Sequence, residues 1–464
     1  MKIKSIFSLF KQAISGSEQS FTQGSIDKAI FLLSVPMVIE MSMEAIFAVV
    51  DVFFVSKLGD NDAVATIGLT ESVLTLVYSM AIGLSMGATA MIARRIGEKD
   101  EKAASIAAVQ SLYIGLILAA IITVIGIFFS EHILGLMGAS ENIIKNCSGY
   151  TKWMLSGNIT IVLLFLINAI FRGAGDASLA MRSLLIANAL NIVLDPMFIF
   201  GLGPIPAFGV QGAAMATTIG RGSGVLYQLY HLFKGKGVIK IHVDNWVIDG
   251  DVIKRLLRVS IGGTVQFLIG SASWIFLVRI MSSFGSAALA GYTIGIRIII
   301  FAILPAWGMA NAAATLVGQN LGAGFPDRAE KSVWRTGFFN MIFLGTVTIL
   351  FLFFAKILVG FFTQDINVSM NATRCLQIVC IGYIFYAYGM VINQSFNGAG
   401  DTKTPTLLSL FGFWLFQIPL AYLLAKNSGL GANGVYTAIV VAETLMAIVG
   451  IMIFRKGKWK TTKI

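Results

Sequence analysis

The sequence predicts an all-α membrane protein, with twelve transmembrane helices in two pseudo-symmetric lobes of six. Three observations carry this. The 464 residues are 56% hydrophobic and only 12% charged, with a mean hydropathy of +0.82, whereas about a quarter of the residues in a soluble domain are charged. Apolar runs of the ~20 residues that cross a hydrocarbon core recur twelve times. Short segments of the first half return in the second at a nearly constant offset.

Taken in order, residues 1–25 form a cytoplasmic segment in which Lys11 interrupts a short apolar stretch, so a cleavable signal peptide is not expected. Ile3, Ile6, Phe7, Phe10 and Ile14 follow helical spacing, which predicts an interfacial amphipathic helix. A first lobe over 26–233 holds spans near 28–56, 64–93, 104–129, 150–171, 182–201 and 209–233. A polar cytoplasmic linker follows over 234–254. The second lobe, 255–454, holds spans near 256–281, 286–316, 333–362, 373–396, 405–426 and 431–454, and a basic cytoplasmic tail closes the chain over 455–464.

Net charge is +11, but the Lys and Arg sit in short connections between apolar runs. That distribution reports topology and not a nucleic-acid-binding face. Lys2, Lys4 and Lys11 precede span 1; Arg94, Arg95, Lys99 and Lys102 follow span 2; Arg172 and Arg182 follow span 4. Lys234, Lys236, Lys240, Lys254 and Arg255 follow span 6, and Arg328, Lys331 and Arg335 follow span 8. Both termini are therefore expected in the cytoplasm, in a multi-pass protein of the cytoplasmic (inner) membrane. Cys147, Cys375 and Cys380 form no CxxC pair, and His132, His231 and His242 lie in or near loops, so neither a disulfide framework nor a metal site is indicated.

The repeat is explicit in the residues. "RRIGEKDEKAA" (94–104) matches "QNLGAGFPDRAEKS" (319–332), with 322 − 97 = 225 for the glycines, and "FRGAGD" (171–176) matches "FNGAGD" (396–401), with 401 − 176 = 225. "FGVQGA" (208–213) pairs with "LGANGV" (430–435), and "KLGD" (57–60) with "SFGS" (283–286). An even number of spans per half makes this a parallel repeat about an axis along the membrane normal. Together with "NIVLDP" in span 5, these motifs resemble the multidrug and toxic compound extrusion (MATE) transporters, and the resemblance covers the chain from about residue 25. It implies two six-helix lobes and export of organic cations and other drugs against inward flow of H+ or Na+.

The carboxylates break the repeat. Asp195-Pro196 lines up with Ile418-Pro419, and Asp51 with Leu277 (51 + 226 = 277), so proline is kept and both acids are lost. Residues advance ~100° each along a helix, which puts Glu40, Glu44 and Asp51 within about 40° of one another, on the stripe that also carries Pro36. Asn188, Asn191 and Asp195 share a face of span 5. Intramembrane acids face a bundle interior or wet cavity, and Pro196 frees a carbonyl near Ile192. Burial disfavours a charged carboxylate and a second acid disfavours it further, so Asp51 and Asp195 are suited to take up a proton. Asp51, Asn191, Asp195 and the Thr217 hydroxyl equally offer oxygens to a small hard cation. The family resemblance favours these positions and adds Asn168.

Asp195 as a helix cap or arginine partner is disfavoured because no arginine is expected at its depth, while Asp51 lies near the outer end of its span. Glu40, Glu44 and Glu443 are secondary candidates against structural hydrogen bonding; Glu443 has no evident counterpart. Glu71 is a further intramembrane acid, and Arg297 reads as an anchor. "GLSMGATA" (83–90) reads as helix packing, and neither G-A-G-D copy is a phosphate loop. Some relatives carry acids in spans 7 and 10, where this chain has Gln266 and Tyr386, which favours coupling through the first lobe. No catalytic constellation is present, so no enzyme and no cofactor are expected beyond H+ or Na+ as coupling ion. The expected partners are an organic small molecule and the lipid bilayer, with no nucleic acid and a monomeric state. A lipid-linked saccharide flippase is the alternative, disfavoured by the few arginines expected within spans.

Overall fold

Each predicted span is helical in the computed structural model, which describes residues 3–16, 21–235 and 237–464, with the side chains of residues 3–6, 48 and 61 not described. Lys2 and Lys236, and the side chains of Ile3, Lys4 and Ile6, thus lie outside the described residues. After α1 (Ile3–Ser15) the first six spans are α2 (Ile26–Ser56), α3 (Asn61–Gly97), α4 (Glu101–Leu136), the pair α5 (Glu141–Ser156) and α6 (Asn158–Ala174), α7 (Ala177–Phe200) and α8 (Val210–Lys234). The second six begin with α9 (Gly250–Ser282), α10 (Ser286–Gly322), α11 (Pro326–Gly360) and the pair α12 (Ile366–Val379) and α13 (Tyr383–Gly398). Span 11 is α14 (Lys403–Ser409), a π-helical stretch over Leu410–Gln417 and α15 (Ile418–Lys426), and span 12 is α16 (Ala432–Arg455). Among the described residues, ten spans are long and apolar enough to cross a membrane. The other two, α2 and α8, carry the charged side chains discussed below.

Polar residues in the turns begin these helices. Asp60, Asp100, Ser140 and Asp365 each accept a hydrogen bond from a first-turn backbone N–H of α3, α4, α5 and α12, satisfying donors that a helix start leaves open. Pro326 opens α11 at a position where its missing N–H costs nothing.

Two compact units result, one of Ile39–Thr264 with α1, the other of Val265–Ile464 with the segment ending at Val38. The division therefore falls inside α2 and α9 and not at residues 233–255. The first turns of α2 belong with the second unit because its arginines hold them: Arg335 pairs with Asp27 at 2.6 Å, and Arg328 donates to the carbonyls of Phe21, Gln23 and Gly24. The linker lies on α4, where Ser105 donates to the Lys240 carbonyl at 2.8 Å and Gln110 to that of Val247 at 2.6 Å. The α1 helix ends under Arg182, which donates to the carbonyls of Ile14 and Ser15, while Phe7 and Phe10 stay exposed.

The repeat extends to contacts. In each G-A-G-D copy the second glycine, Gly175 (φ 92°) or Gly400 (φ 86°), takes the left-handed conformation that ends a helix. The first glycine lets two backbones meet. A Cβ on Gly173 would lie 3.0 Å from the Thr89 carbonyl oxygen and one on Gly398 2.3 Å from that of Ala314, and 398 − 173 = 314 − 89 = 225. Spans 4 and 10 break at equivalent glycines, Gly157 and Gly382. Thr123 and Thr348, again 225 apart, donate to the carbonyls of Ser156 and Cys380 beside those breaks at 3.0 and 2.9 Å. Gly83 likewise packs against α9, where a Cβ would sit 2.6 Å from the Ser260 carbonyl oxygen.

The halves differ at their fifth spans. The α7 helix runs through Pro196 without a break, whereas a π-helical stretch precedes Pro419, and its Trp414 indole donates to the Ile269 carbonyl at 3.0 Å. A crossing glycine should be far less replaceable than one in open space. Gly398→Ala is expected to destabilise by roughly 1–3 kcal/mol, the usual cost of overpacking. Gly345→Ala, with nothing near its Cβ, should be neutral or stabilising by up to ~1 kcal/mol. Thermal unfolding of the two purified variants checks both.

Candidate functional site

The site is built where α2, α7 and α8 meet. Close packing of α7 on α8 comes first: a Cβ on Gly212 would lie 2.4 Å from the Phe198 carbonyl oxygen, and one on Gly220 or Gly224 would lie 2.9 Å from that of Ala187 or Ser183. Small residues along one helix face permit this approach, and it carries Thr217 of α8 to Asn191 of α7. Thr217 then donates to Asp51 Oδ2 at 2.7 Å. Asn191 Nδ2 faces Asp51 Oδ1 at 3.3 Å, Asp195 Oδ1 at 3.2 Å and Thr217 Oγ1 at 3.4 Å. Four of the five primary candidate residues thus form one hydrogen-bonded cluster. Asn191 and Asp195 are fully buried and Asp51 keeps 9% of its surface, so the cluster opens at Asp51. Asn191 Oδ1 and Asp195 Oδ2 are buried acceptors with no partner among the described residues.

Asn168 lies elsewhere. It accepts from Ser183 Oγ at 3.0 Å and from the Gln228 amide, and Ser183 precedes Asn191 by eight residues, roughly 12 Å of helix rise. Asn188 bonds the Leu184 carbonyl of its own helix at 2.9 Å and takes no part in the cluster.

The secondary candidates on α2 are ion-paired. Glu40 bonds Arg172 of α6 at 2.5 Å, and Glu44 meets Arg221 of α8 at 3.3 Å. Phe47 and Tyr78 flank the Arg221 guanidinium, with ring centroids at 4.6 and 5.5 Å. Two sequence expectations are corrected here. Arg172 is not a loop charge, because it lies inside α6 with 8% exposure. Nor is the depth of the acids free of arginine: Arg221 lies one turn beyond Thr217 and within electrostatic reach of Asp51. Both arginines could have been found from the acids. Two glutamates one turn apart in a span need cations opposite, and Arg221 is the cation that the apolar run of span 6 contains. Since each arginine is matched by a glutamate, their presence adds no unmatched positive charge to the interior.

In the second unit Glu443 of α16 has no hydrogen-bond or ion-pair partner among the described residues. It lines a cavity with Trp274, Tyr383 and Tyr386. Arg297 and Glu71 are exposed on their helices.

The positions equivalent to the first unit's polar residues are neutral. With 226 for span 1 and 225 for span 4, Glu40 and Arg172 become Gln266 and Asn397; Asp51 becomes Leu277, which is 1% exposed in the second unit's apolar core. The second unit thus shows how to relieve the Glu40–Arg172 pair. Arg172→Asn alone should cost about 3–5 kcal/mol by stranding a buried carboxylate, and adding Glu40→Gln should recover most of that loss. Unfolding of the single and double variants measures the difference.

The MatE family model matches residues 36–197 and 264–423. The chain is 27% identical over 463 residues to a protein of Thermotoga maritima named "Probable multidrug resistance protein NorM", covering 98% of this chain and 97% of that one. It is 26% identical over 452 residues to "Probable multidrug resistance protein YoeA" of Bacillus subtilis, covering 96% and 97%. Among solved structures it superposes on "Crystal structure of MATE in the straight conformation" with a TM-score of 0.89 and 30% identity, over 95% of this chain and 98% of the other. A second match is "Outward-facing conformation of a multidrug resistance MATE family transporter of the MOP superfamily", with a TM-score of 0.88 and 29% identity over 96% and 100%.

Proposed function

This chain belongs to the MatE family, and on that premise we propose that it is a secondary antiporter that exports amphipathic, often cationic organic compounds in exchange for inward-moving H+ or Na+. Relatives named as multidrug resistance and multidrug export proteins support the export of drugs. The single observation that carries the coupling is the buried Asp51–Thr217–Asn191–Asp195 cluster, whose acids have no counterpart in a second unit that repeats the glycine crossings and the broken fourth span.

The chemistry follows from the groups present. A proton can be held by either carboxyl group, and the low dielectric of the interior favours neutralising it. Hard metal cations take oxygen ligands. A half-rotation of the Asn191 amide replaces Nδ2 by Oδ1 and makes all four side chains oxygen donors. In the outward-open state the protein releases drug and takes up the cation through Asp51, and that binding favours return to the inward-open state. The ion must bind the two states with different affinity, since equal binding shifts nothing. Asp51 and Asp195 carry the ion; Asn191 and Thr217 position their carboxylates.

The basic connections support an orientation with both termini in the cytoplasm, within the inner membrane. A monomer suffices, because one chain contains the complete cluster. A reporter fused after Lys463 should be active only on the cytoplasmic side, and activity only on the outer side would overturn this orientation.

Efflux from proteoliposomes under imposed proton and sodium gradients tests the coupling. Asp195→Asn and Asp51→Asn should lose gradient-driven transport while still binding drug, and Asp51→Glu should keep part of it. Ile418→Asn, at the position equivalent to Asp195, should leave transport largely intact. If Asp51→Asn still concentrates drug with unchanged ion dependence, the coupling site lies elsewhere.

A further inference from the structure

We propose that the second unit binds the head of an organic ammonium ion at Glu443, in the place that the Arg221 guanidinium occupies in the first unit. The proposal rests on the reading of the chain as an exporter of organic cations, and it states which residues of the second unit receive the cationic head.

The sixth and twelfth spans begin after Gly209 and Gly431, which share an unusual backbone (φ 58° and 56°). The offset is 431 − 209 = 222, and 443 − 222 = 221, so Glu443 is the counterpart of Arg221. Charge is reversed at this position, and the partner is removed as well. Glu44 maps onto Gly270 through the offset of 226 that relates Gly59 to Gly285. Among the described residues Glu443 has neither ion pair nor hydrogen bond. The buried acids of the first unit, by contrast, all have a polar partner. A carboxylate inside a membrane protein without a counter-ion is costly, and none is supplied among the described residues, so Glu443 is left to a proton or to a cation that arrives.

The cavity around Glu443 specifies the missing cation. Trp274, Tyr383 and Tyr386 line it, as Phe47 and Tyr78 flank Arg221, and aromatic faces attract cations. Ile303, also in the lining, is the counterpart of Tyr78 (78 + 225 = 303). The Tyr383 side chain is 2% exposed, and its hydroxyl has no partner among the described residues. A metal cation is poorly served, since a hard ion takes several oxygen ligands and most of the remaining lining is aliphatic. An ammonium group needs one carboxylate, a hydroxyl and aromatic faces. The cavity is about 40 Å3, where a water needs roughly 10–15 Å3. It therefore admits a protonated amine head of a few heavy atoms, with the apolar body of the ligand outside.

Calorimetric titration of the full chain in nanodiscs tests this, with benzylammonium as the probe and benzyl alcohol as its neutral isostere. Benzylammonium should bind wild type and bind Glu443→Gln at least about tenfold more weakly, a difference of ~1.4 kcal/mol. Tyr383→Phe should show a smaller loss and Glu443→Asp partial retention; benzyl alcohol should bind none of them at this site. Unfolding temperatures within a few degrees of wild type establish that the variants are folded, and Tyr383→Phe supplies the test if Glu443→Gln is not. Equal benzylammonium affinity in wild type and folded Glu443→Gln overturns the proposal, as does competition by sodium chloride, with choline chloride inert, that persists in the Asp51→Asn/Asp195→Asn double variant. Loss of all gradient-driven efflux by wild type, with benzylammonium binding still dependent on Glu443, would refute the antiport reading and leave this site standing.

Discussion

The first unit is organised around the matching of acidic groups on one helix. An acid at the centre of a bilayer costs roughly 3 kcal/mol on an insertion scale, and α2 carries Glu40, Glu44 and Asp51 on one face. Each is answered from a different direction: Arg172 from α6, Arg221 from α8, and Thr217 with Asn191 from α8 and α7. The two glutamates are closed as ion pairs. Asp51 is hydrogen-bonded only by neutral donors and lies beside a second carboxylic acid, and the nearby Arg221 is already paired with Glu44, so Asp51 has no ion-pair partner of its own. The glycines of α8 matter because they bring that helix close enough to α7 for Thr217 and Asn191 to share Asp51.

Duplication explains why the asymmetry is informative. The crossing glycines, the helix-ending glycines, the broken fourth spans and the threonines that bond beside them all recur at one offset. They are requirements of packing, and both units share them. Along α9 the three acids become Gln266, Gly270 and Leu277, and Arg172 and Arg221 become Asn397 and Glu443. A scaffold with the same crossings thus carries an oxygen-rich cluster in one unit and an aromatic, singly acidic cavity in the other. On our proposals these environments take different cations, a bare ion in the first and an organic head in the second.

Most of this architecture was legible in the sequence. Hydrophobic runs and basic connections report spans because the bilayer imposes length and charge rules on any chain, and the paired motifs gave the two-fold organisation. Asp51 and Asp195 followed from the broken repeat and Asn191 from helical spacing, while their grouping with Thr217 was favoured by the family resemblance. What stayed hidden depends on side-chain reach between helices. Arg172 sits at the end of an apolar run and reads as a loop charge until Glu40 is seen to draw it inside. Arg221 escaped notice among glycines, and with it the counterpart of Glu443. Asn168, which the family resemblance added to the cluster, bonds Ser183 and Gln228 a little more than two turns away. The π-helical stretch before Pro419 has no periodic signature in residues that are apolar on every side.

The central proposal is that the coupling ion, one per chain, binds at the two aspartates of the first unit. Counting bound ions tests it most directly: sodium binding by calorimetry across a pH series, together with proton release on sodium addition, in wild type and the Asp51→Asn/Asp195→Asn double variant. The account predicts one competing H+ or Na+ site per chain in wild type and none in the double variant. Undiminished ion binding by the folded double variant would contradict it.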